Sequence, residues 1–366
     1  MVSAPRLVPD IVLKYTSPEG PHPFVVNLSS RGDYRIPLYV FVPYRSRETG
    51  SSHPPPKLPV LIDFHGGGFV LGSCKEQAPW CAKIARELDA IVISVDYRMG
   101  PAWQFPAAIE DGEDIAKAVL DPQSPGYAEL TDAITVLLVN CNRPLVGIDS
   151  TRIAFSGFSS GANLALNLAL SIQESEHPRC PWPSIVSVSH PTDIPLLLFY
   201  PSLDCRQLPS ERPLAPGMKG QKSFLEALRL ESELHPTYLP RDQASHPRAS
   251  PGLAKLREGG LHGKARMLLV LPEIDTLAAQ SAVWIEKVAD EGMSQNLSVH
   301  KVPGVMHGWT QVCRFRGSNR SSKPLKKANT LRVLMIYPYC WIKDHFVALF
   351  TAVVPSSSSI DYTDSK

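Results

Sequence analysis

The sequence lacks the features that mark secreted, metal-binding or nucleic-acid-binding proteins. Its 37 basic and 35 acidic residues leave a formal net charge of only +2, which gives no electrostatic argument for a nucleic acid as partner. The seven cysteines form no C-x-x-C pair, so neither a disulfide framework nor a zinc site is indicated. The first residues lack the basic and then apolar pattern of a secretory signal. These absences predict a cytoplasmic protein with reduced thiols and no metal.

Long apolar runs free of charge are also missing. Residues 333–354 have a suitable length for a membrane helix, but Lys343 and Asp344 lie at their centre. Each such charge costs about 2.5–3.5 kcal/mol on insertion, against roughly 0.3–0.6 kcal/mol gained per good apolar residue. The apolar patch at residues 134–139 is far too short to span a bilayer. We therefore expect no membrane span.

What the 366 residues do contain is an alternation of apolar runs and segments with helical spacing. Most of the apolar runs show no internal polar alternation, which is typical of strands buried on both faces. The fold class is therefore predicted to be α/β, with a mainly parallel central sheet and helices on both faces. The predicted strands are residues 11–15, 36–42, 58–62, 91–95, 152–155, 196–200, 267–271 and 297–302. The predicted helices are residues 81–88, 107–120, 162–172, 224–234 and 278–289.

The chain is predicted to form one α/β domain over residues 1–313, followed by a different segment. Residues 206–263 interrupt the alternation as a long insert and are a candidate cap over a site. Residues 314–366 begin with basic side chains and continue with a mostly apolar stretch. We interpret them as a divergent tail, or as translated intron sequence.

Residues 157–161 (GFSSG) match the G-x-S-x-G nucleophile elbow. In this motif a serine sits on a strained turn between a strand and a helix, and flanking glycines leave the turn unobstructed. A predicted strand precedes Ser159 and a predicted helix follows it, as the motif requires. Serine needs a neighbouring base to become a nucleophile. The alternative is a small-residue turn at a strand–helix junction.

Residues 65–69 (HGGGF) follow an earlier buried strand and resemble an oxyanion-hole loop. Glycine permits positive φ and a close approach of backbone N–H groups to a developing oxyanion. The candidate donors are the backbone N–H groups of Gly66, Gly67, Gly68 and Ser160. The alternative is a flexible or phosphate-binding loop, but no lysine follows in a P-loop pattern.

The base and its orienting acid are expected downstream, in the order serine, acid, histidine. His307 follows the last predicted strand, and Asp275 follows the strand before it. Asp275 would hold the imidazole tautomer and stabilise the imidazolium. A helix N-cap is its alternative role, compatible with the first. Glu273 and Asp204 are weaker candidates for the acid.

The remaining histidines are not predicted to act as the base. Six histidines lie beside proline, and we interpret them as surface or loop residues: His22, His53, His177, His190, His235 and His246. His65 precedes the glycines of its motif, so we expect it to shape the loop.

Several unlinked motifs, taken together, resemble the hormone-sensitive-lipase-like branch of the α/β-hydrolase superfamily. The motifs that carry the resemblance are residues 65–69 (HGGGF), 96–98 (DYR) with Pro101, 105–108 (FPAA), 149–153 (DSTRI), 157–161 (GFSSG), 200–204 (YPSLD), 250–251 (SP), Asp275 with Leu277, and 307–308 (HG). The resemblance covers roughly residues 30–310. It implies an α/β-hydrolase fold and a carboxylic-ester hydrolase with Ser159, Asp275 and His307 as triad. It implies no cofactor, and a supporting role for residues 96–98 behind the oxyanion loop.

The sequence departs from this family at two points near the site. Phe158 stands where the family usually has an acidic residue, which suggests a more apolar wall. Family members often begin with helices that cap the site, whereas this chain reaches its first predicted strand almost at once, so we expect any cap to come mainly from residues 206–263. We place Phe69, Phe158 and Trp309 in the substrate pocket.

The leading hypothesis is therefore a serine esterase that acts on small-molecule esters with small to medium acyl chains. A thioester, amide or lactone hydrolase would use the same machinery, because an oxyanion hole serves all acyl transfers. A non-catalytic ligand receptor on the same fold is a third hypothesis. The presence of His307 argues against it.

Overall fold

The computed structural model describes residues 19–45, 54–173, 181–213 and 230–310, which all lie in one compact unit, Met1–Cys313. Eight strands form a single sheet in the order β1-β2-β4-β3-β5-β6-β7-β8. The strands are β1 Phe24–Ser29, β2 Arg35–Phe41, β3 Lys57–Phe64, β4 Ile91–Val95, β5 Gly147–Phe158, β6 Ile194–Phe199, β7 Ala265–Ile274 and β8 Leu297–Met306. Strands β1 and β2 pair antiparallel, as do β2 and β4; all other neighbours are parallel.

Six α-helices accompany the sheet within the described ranges. They are α1 Ala78–Leu88, α2 Ala107–Leu120, α3 Pro125–Asn140, α4 Ser160–Asn167, α5 Leu230–Tyr238 and α6 Ala278–Asp290. Helix α3 begins in a conventional way: the Ser124 side chain accepts the N–H of Tyr127, and Pro125 occupies the first turn. None of these helices is long and apolar enough to cross a membrane.

The central strands are buried on both faces, as their uninterrupted apolar sequences predict. Consecutive residues of β3, such as Val60, Leu61 and Ile62, point to opposite faces and are all fully buried. Helices therefore cover both sides of the sheet, and the predicted α/β class with a mainly parallel sheet is confirmed. The carboxyl ends of the parallel strands consequently meet at one edge, where the loops after β3, β5, β7 and β8 lie together.

The predicted elements agree closely with the structure in the centre of the sheet, and differ near its margins. The strand at residues 91–95 and the helix at residues 107–120 have the predicted bounds. Strand β1 was not predicted; it is a short edge strand in which only Val26 and Leu28 are buried. The helix predicted at residues 162–172 is wrong in extent, because Leu170 and Ile172 form bridges with Leu261 and Trp182 instead.

Some predictions fall outside the described residues. These are the strand at residues 11–15, the first part of the helix at residues 224–234, and the tail at residues 314–366. Helix α5 covers the last part of the predicted helix at residues 224–234 and extends beyond it. The domain division and the capping role of residues 206–263 remain predictions.

Candidate active site

Ser159 occupies a strained turn between β5 and α4. Its backbone angles are φ 54° and ψ −114°, a region that residues with side chains rarely adopt. The turn is possible because both flanking positions are glycine. A Cβ on Gly157 would lie 2.2 Å from the carbonyl oxygen of Gly161, and a Cβ on Gly161 would lie 2.1 Å from that of Phe64. The sequence motif thus corresponds to a steric requirement.

The serine backbone is also tied to the loop that follows β6. The N–H of Ser159 donates to the carbonyl oxygen of Phe199 over 2.9 Å, and the N–H of Ser202 donates to that of Ser159 over 3.2 Å. These bonds fix the turn on the neighbouring strand. Hydrogen bonds and close packing therefore hold Ser159 in its strained conformation.

His307 lies directly after β8 and faces Ser159. Its N–H donates to the carbonyl oxygen of Ile274 over 3.1 Å, which anchors the loop to β7. The ring atom Nε2 lies 3.0 Å from Ser159 Oγ, within hydrogen-bonding distance. The ring of Tyr200 packs against the imidazole edge-on, with centroids 4.7 Å apart. The imidazole of His307 therefore lies within hydrogen-bonding reach of the serine hydroxyl.

Asp275 lies behind His307 at the end of β7. Its two carboxylate oxygens are each 3.0 Å from His307 Nδ1, and its side chain is only 2% exposed. One of the oxygens also accepts the N–H of Leu277 over 2.8 Å. Leu277, and not Asp275, is the N-cap of α6. The carboxylate thus orients the imidazole directly.

The two other acidic candidates are engaged elsewhere. A carboxylate oxygen of Glu273 accepts the N–H of Gly304 over 2.6 Å. The carboxylate of Asp204 pairs with Arg206 at 2.6 Å. Of the three predicted acids, Asp275 is the one that the structure brings to His307.

The glycine loop after β3 has three consecutive residues with positive φ. The values are 121° for Gly67, 63° for Gly68 and 66° for Phe69. A Cβ on Gly67 would lie 2.0 Å from the carbonyl oxygen of Leu71, so glycine is required there. No described residue accepts a hydrogen bond from the N–H of Gly68 or of Ser160, the first residue of α4. Such unpaired donors are what an oxyanion site requires.

His65 shapes this loop from within the protein. Its side chain is fully buried, and its Nδ1 donates to the carbonyl oxygen of Gly66 over 2.7 Å. Burial lowers the pKa of His65. The ring stacks on Tyr97 with centroids 4.3 Å apart, and the Tyr97 hydroxyl donates to the carbonyl oxygen of His65 over 2.8 Å. Tyr97 therefore supports the loop from below, as the resemblance implied.

The three predicted pocket residues have different environments. Trp309 is half-buried and packs on Tyr200, with centroids 5.0 Å apart, beside His307. Phe69 is 3% exposed. The prediction that Phe158 forms a wall of the site is wrong, because its side chain is fully buried under the sheet edge. Its ring stacks on Phe199 at 4.4 Å and meets Trp80 of α1 edge-on.

Sequence reasoning missed two aromatic residues near the site. Tyr200, which has φ 38°, contacts both His307 and Trp309, and its hydroxyl bonds to Thr310 Oγ1. Tyr238, at the end of α5, lies on Phe69. Its only sequence signal is the aromatic side chain within the insert.

Of the proline-flanked histidines, which were predicted to lie on the surface or in loops, His190, His235 and His246 are buried, and His235 lies in helix α5. His235 and His246 are 4% and 3% exposed, respectively. Each packs against an aromatic ring near the site: His235 against Phe69 and His246 against Phe105. Tertiary packing of the insert buries them, which the neighbouring prolines do not reveal.

Comparison with known proteins gives relatives for both sequence and fold. Residues 61–311 match the sequence profile of a family described as alpha/beta hydrolase fold. Human arylacetamide deacetylase-like 2 is 31% identical over 55% of this chain, and the match spans 41% of that relative's length. Ethyl acetate hydrolase of Pseudomonas putida is 26% identical over 78% of this chain and 75% of its own length.

A solved structure shares the architecture. The hyperthermophilic esterase of Pyrobaculum calidifontis superposes with a TM-score of 0.56 and 24% identity, over 82% of each chain. At this identity the likeness concerns the fold. The profile, the eight-stranded sheet and the elbow agree with one another. The chain belongs to the alpha/beta hydrolase fold family.

Proposed function

We propose that the protein hydrolyses carboxylic esters through an acyl-Ser159 intermediate. The observation that carries the proposal is the continuous contact from Ser159 Oγ through His307 to Asp275, with successive distances of 3.0 Å. Nucleophile, base and orienting acid at hydrogen-bonding distance form the arrangement that activates a serine. The non-catalytic receptor is disfavoured because His307 occupies the position of the base.

The first half of the reaction acylates the enzyme. Ser159 Oγ attacks the ester carbonyl carbon, and its proton passes to His307 Nε2. The tetrahedral intermediate then collapses: the bond from carbon to the alcohol oxygen breaks, and His307 returns the proton to the departing alcohol. Asp275 accepts the hydrogen bond of Nδ1–H throughout, so that Nε2 is free to take the serine proton.

The second half of the reaction deacylates Ser159. Water attacks the acyl carbonyl carbon while His307 Nε2 takes a water proton. The bond to Ser159 Oγ breaks, the serine recovers its proton from His307, and a carboxylic acid leaves. In both halves, the backbone N–H groups of Gly66, Gly67, Gly68 and Ser160 are the proposed source of oxyanion stabilisation. Loss of one such donor typically costs about 10²–10³ in rate.

The substrates are proposed to be esters of small to medium acyl chains. The relative from Pseudomonas putida is named for a small ester, which supports this range. The half-buried Trp309, beside His307, favours apolar acyl or alcohol groups, whereas the ring of Phe69 is covered by Tyr238 and His235. Thioesters, amides and lactones remain alternatives because the proposed machinery acts on any acyl group.

The experiment is a series of p-nitrophenyl esters of increasing acyl length, assayed with the wild type and Ser159→Ala. We expect activity that is highest on short and medium chains and absent in the variant. A Ser159→Ala protein with wild-type activity would refute the mechanism. Matched thioester and anilide substrates decide between the alternatives.

A cytoplasmic location is also proposed. Cys74, Cys81, Cys141 and Cys205 are free thiols, and proteins with reduced cysteines are typical of the cytosol. Fractionation of cells that express the full chain tests this. Recovery in the secreted fraction would contradict it.

A further inference from the structure

Phe69 is a residue under strain at the end of the oxyanion loop. It has a left-handed backbone, φ 66°, although it carries a large side chain. Such a conformation persists only when surrounding contacts hold it. If Phe69 relaxed, the peptide plane between Gly68 and Phe69 would rotate, and Gly68, which has φ 63°, would shift with it, so that its N–H would change direction. The contacts that hold Phe69 therefore also hold the loop.

Two aromatic contacts on the Phe69 ring come from helix α5. The ring of Tyr238, the last residue of α5, stacks on the ring of Phe69 with centroids 4.8 Å apart and an interplanar angle of 11°. Both rings are almost completely buried, at 1% and 3% exposure. One turn earlier in α5, His235 meets Phe69 edge-on at 6.4 Å. Burial, with Arg212 and Arg241 nearby, lowers the pKa of His235 to about 4, so this ring packs as a neutral group.

The backbone of Tyr238 is itself fixed to the segment that follows β4. The N–H of Phe105 donates to the carbonyl oxygen of Tyr238 over 2.8 Å. Gly100 approaches so closely that a Cβ there would lie 2.8 Å from the Tyr238 backbone nitrogen and Cβ. The N–H of Gly100 in turn donates to the carbonyl oxygen of Phe69 over 3.0 Å. Tyr238, Gly100 and Phe69 are thus packed and bonded together.

We propose that Tyr238 is a positioning residue, through which helix α5 sets the geometry of the oxyanion loop. The inference rests on the proposed esterase function. Its mechanism is ring stacking: Tyr238 fixes the Phe69 ring and so the left-handed backbone, and this holds the preceding peptide and Gly68 in place, with the N–H of Gly68 directed at the oxyanion. The phenol hydroxyl is not required for that role.

The test compares two substitutions of Tyr238 with a matched substitution elsewhere. Tyr238→Leu removes the stack, and Tyr238→Phe keeps it. Tyr127→Leu is the control, since Tyr127 packs against the core from α3, outside the site. Because a misaimed donor retains part of its effect, we expect Tyr238→Leu to lower kcat about 10–100-fold and to change KM by less than about threefold. Tyr238→Phe and Tyr127→Leu should retain the wild-type kcat.

A second readout separates positioning from a general loss of structure. A trifluoromethyl ketone forms a tetrahedral adduct with the serine. The oxyanion of this adduct accepts hydrogen bonds from the same backbone N–H groups as the oxyanion of the transition state. Its inhibition constant should rise in Tyr238→Leu by the factor by which kcat/KM falls, and remain unchanged in the other two variants. Should Tyr238→Leu not fold, Phe69→Leu removes the other ring of the stack and carries the same expectation.

Two outcomes would overturn the inference while the wild type remains active. One is a Tyr238→Leu protein with wild-type kcat and ketone affinity. The other is a Tyr238→Phe protein that loses as much activity as Tyr238→Leu, which would assign the effect to the hydroxyl. A wild-type protein that hydrolyses no ester would instead refute the proposed function itself.

Discussion

The nucleophile elbow and the oxyanion loop both hold a residue with a side chain in a left-handed backbone, but they do so in different ways. At the elbow, Ser159 is held by glycines within two residues of it and by bonds to the neighbouring strand. In the oxyanion loop, Phe69 is held by Gly100 and by Tyr238, which lie far away in the sequence. Local support is visible in a short motif, whereas remote support is not.

The difference also bears on how each loop responds to change. A substitution in the elbow motif produces a direct clash with backbone atoms, which cannot move far. A substitution in the supports of the oxyanion loop leaves room to relax, and its effect reaches the reaction through a shift in geometry. We therefore expect all-or-none effects at the elbow and graded effects at the loop.

The largest expected effect on kcat comes from a change to Asp275, the carboxylate that orients His307 toward the serine of the elbow. In Asp275→Asn, the amide would favour the wrong imidazole tautomer, and kcat should fall about 10³–10⁴-fold with the fold intact. Steady-state kinetics on a short-chain ester measure this. Glu273→Gln and Asp204→Asn are matched controls that should keep the wild-type kcat. A comparable loss in either control would mean that the acid is misassigned.

The next prediction tests whether close backbone contacts in the elbow exclude a side chain at position 161. Gly161→Ala would place a Cβ 2.1 Å from the Phe64 carbonyl oxygen, a contact that requires the backbone to move. We expect the free energy of unfolding to fall by about 3 kcal/mol or more, and activity to be lost. Denaturant unfolding with a parallel ester assay measures both.

Gly263→Ala is the control for this substitution, because no atom lies within 4 Å of its added Cβ. It should change the free energy of unfolding by less than about 0.5 kcal/mol. A Gly161→Ala protein as stable as this control would show that the elbow has room for a side chain at position 161.

A smaller effect is expected at the support beneath the oxyanion loop. Tyr97→Phe removes the hydroxyl that donates to the buried His65 carbonyl oxygen. An unsatisfied buried acceptor costs about 1–3 kcal/mol of stability. If about 0.6–1.4 kcal/mol of that energy positions the loop, kcat should fall roughly three- to tenfold.

The exposed Tyr44→Phe is the matched control for Tyr97→Phe and should show neither change. A Tyr97→Phe protein with full stability and full kcat would show that the glycine loop supports itself. The oxyanion loop would then be held by its own residues, as the elbow is, and the two loops would not differ in their support.

The last prediction concerns stability rather than catalysis, in the strands that lead to the two loops. Asp63 in β3 accepts hydrogen bonds from Ser156 in β5 and from the Cys81 thiol, and burial raises its pKa to about 7. A carboxyl that stays neutral when folded but ionises when unfolded stabilises the fold below pH 4, and this contribution is lost as the pH rises to 7. The wild-type free energy of unfolding should therefore fall over this range, and Asp63 alone should account for at most about 1.4 kcal/mol per pH unit of that fall.

Asp63→Asn should flatten that decline without abolishing it, because burial also raises the pKa of Glu76 to about 7. Denaturant unfolding at several pH values gives the difference between wild type and variant. Identical slopes in the two proteins would contradict a neutral buried Asp63.

The sequence allowed the centre of the fold and the catalytic candidates to be predicted. Uninterrupted apolar runs identified the parallel strands, and Ser159, Asp275 and His307 each follow such a strand. Strand β1 was missed because it is short and buries only alternate residues. Phe158 was wrongly placed in the pocket because the motif determines the conformation of Ser159 but not the direction of the Phe158 side chain.

The resemblance implied the support of the oxyanion loop by Tyr97, but its support by helix α5 could not be predicted from the sequence. Tyr238 and His235 lie in an insert without a recognisable pattern, and their burial arises only when α5 packs on the loop after β3. Adjacent prolines indicated loops for His235 and His246, whereas packing buries both. Contacts between residues over 160 positions apart leave no periodic signal.

The central claim is that Ser159 is the nucleophile and that His307 activates it. The most direct measurement is labelling with a fluorophosphonate, followed by peptide mapping of the modified residue. The account predicts one phosphonyl group per chain, on Ser159, with labelling strongly slowed in His307→Ala and absent in Ser159→Ala. A label on any other residue, or a Ser159→Ala protein that is labelled at the wild-type rate, would contradict it.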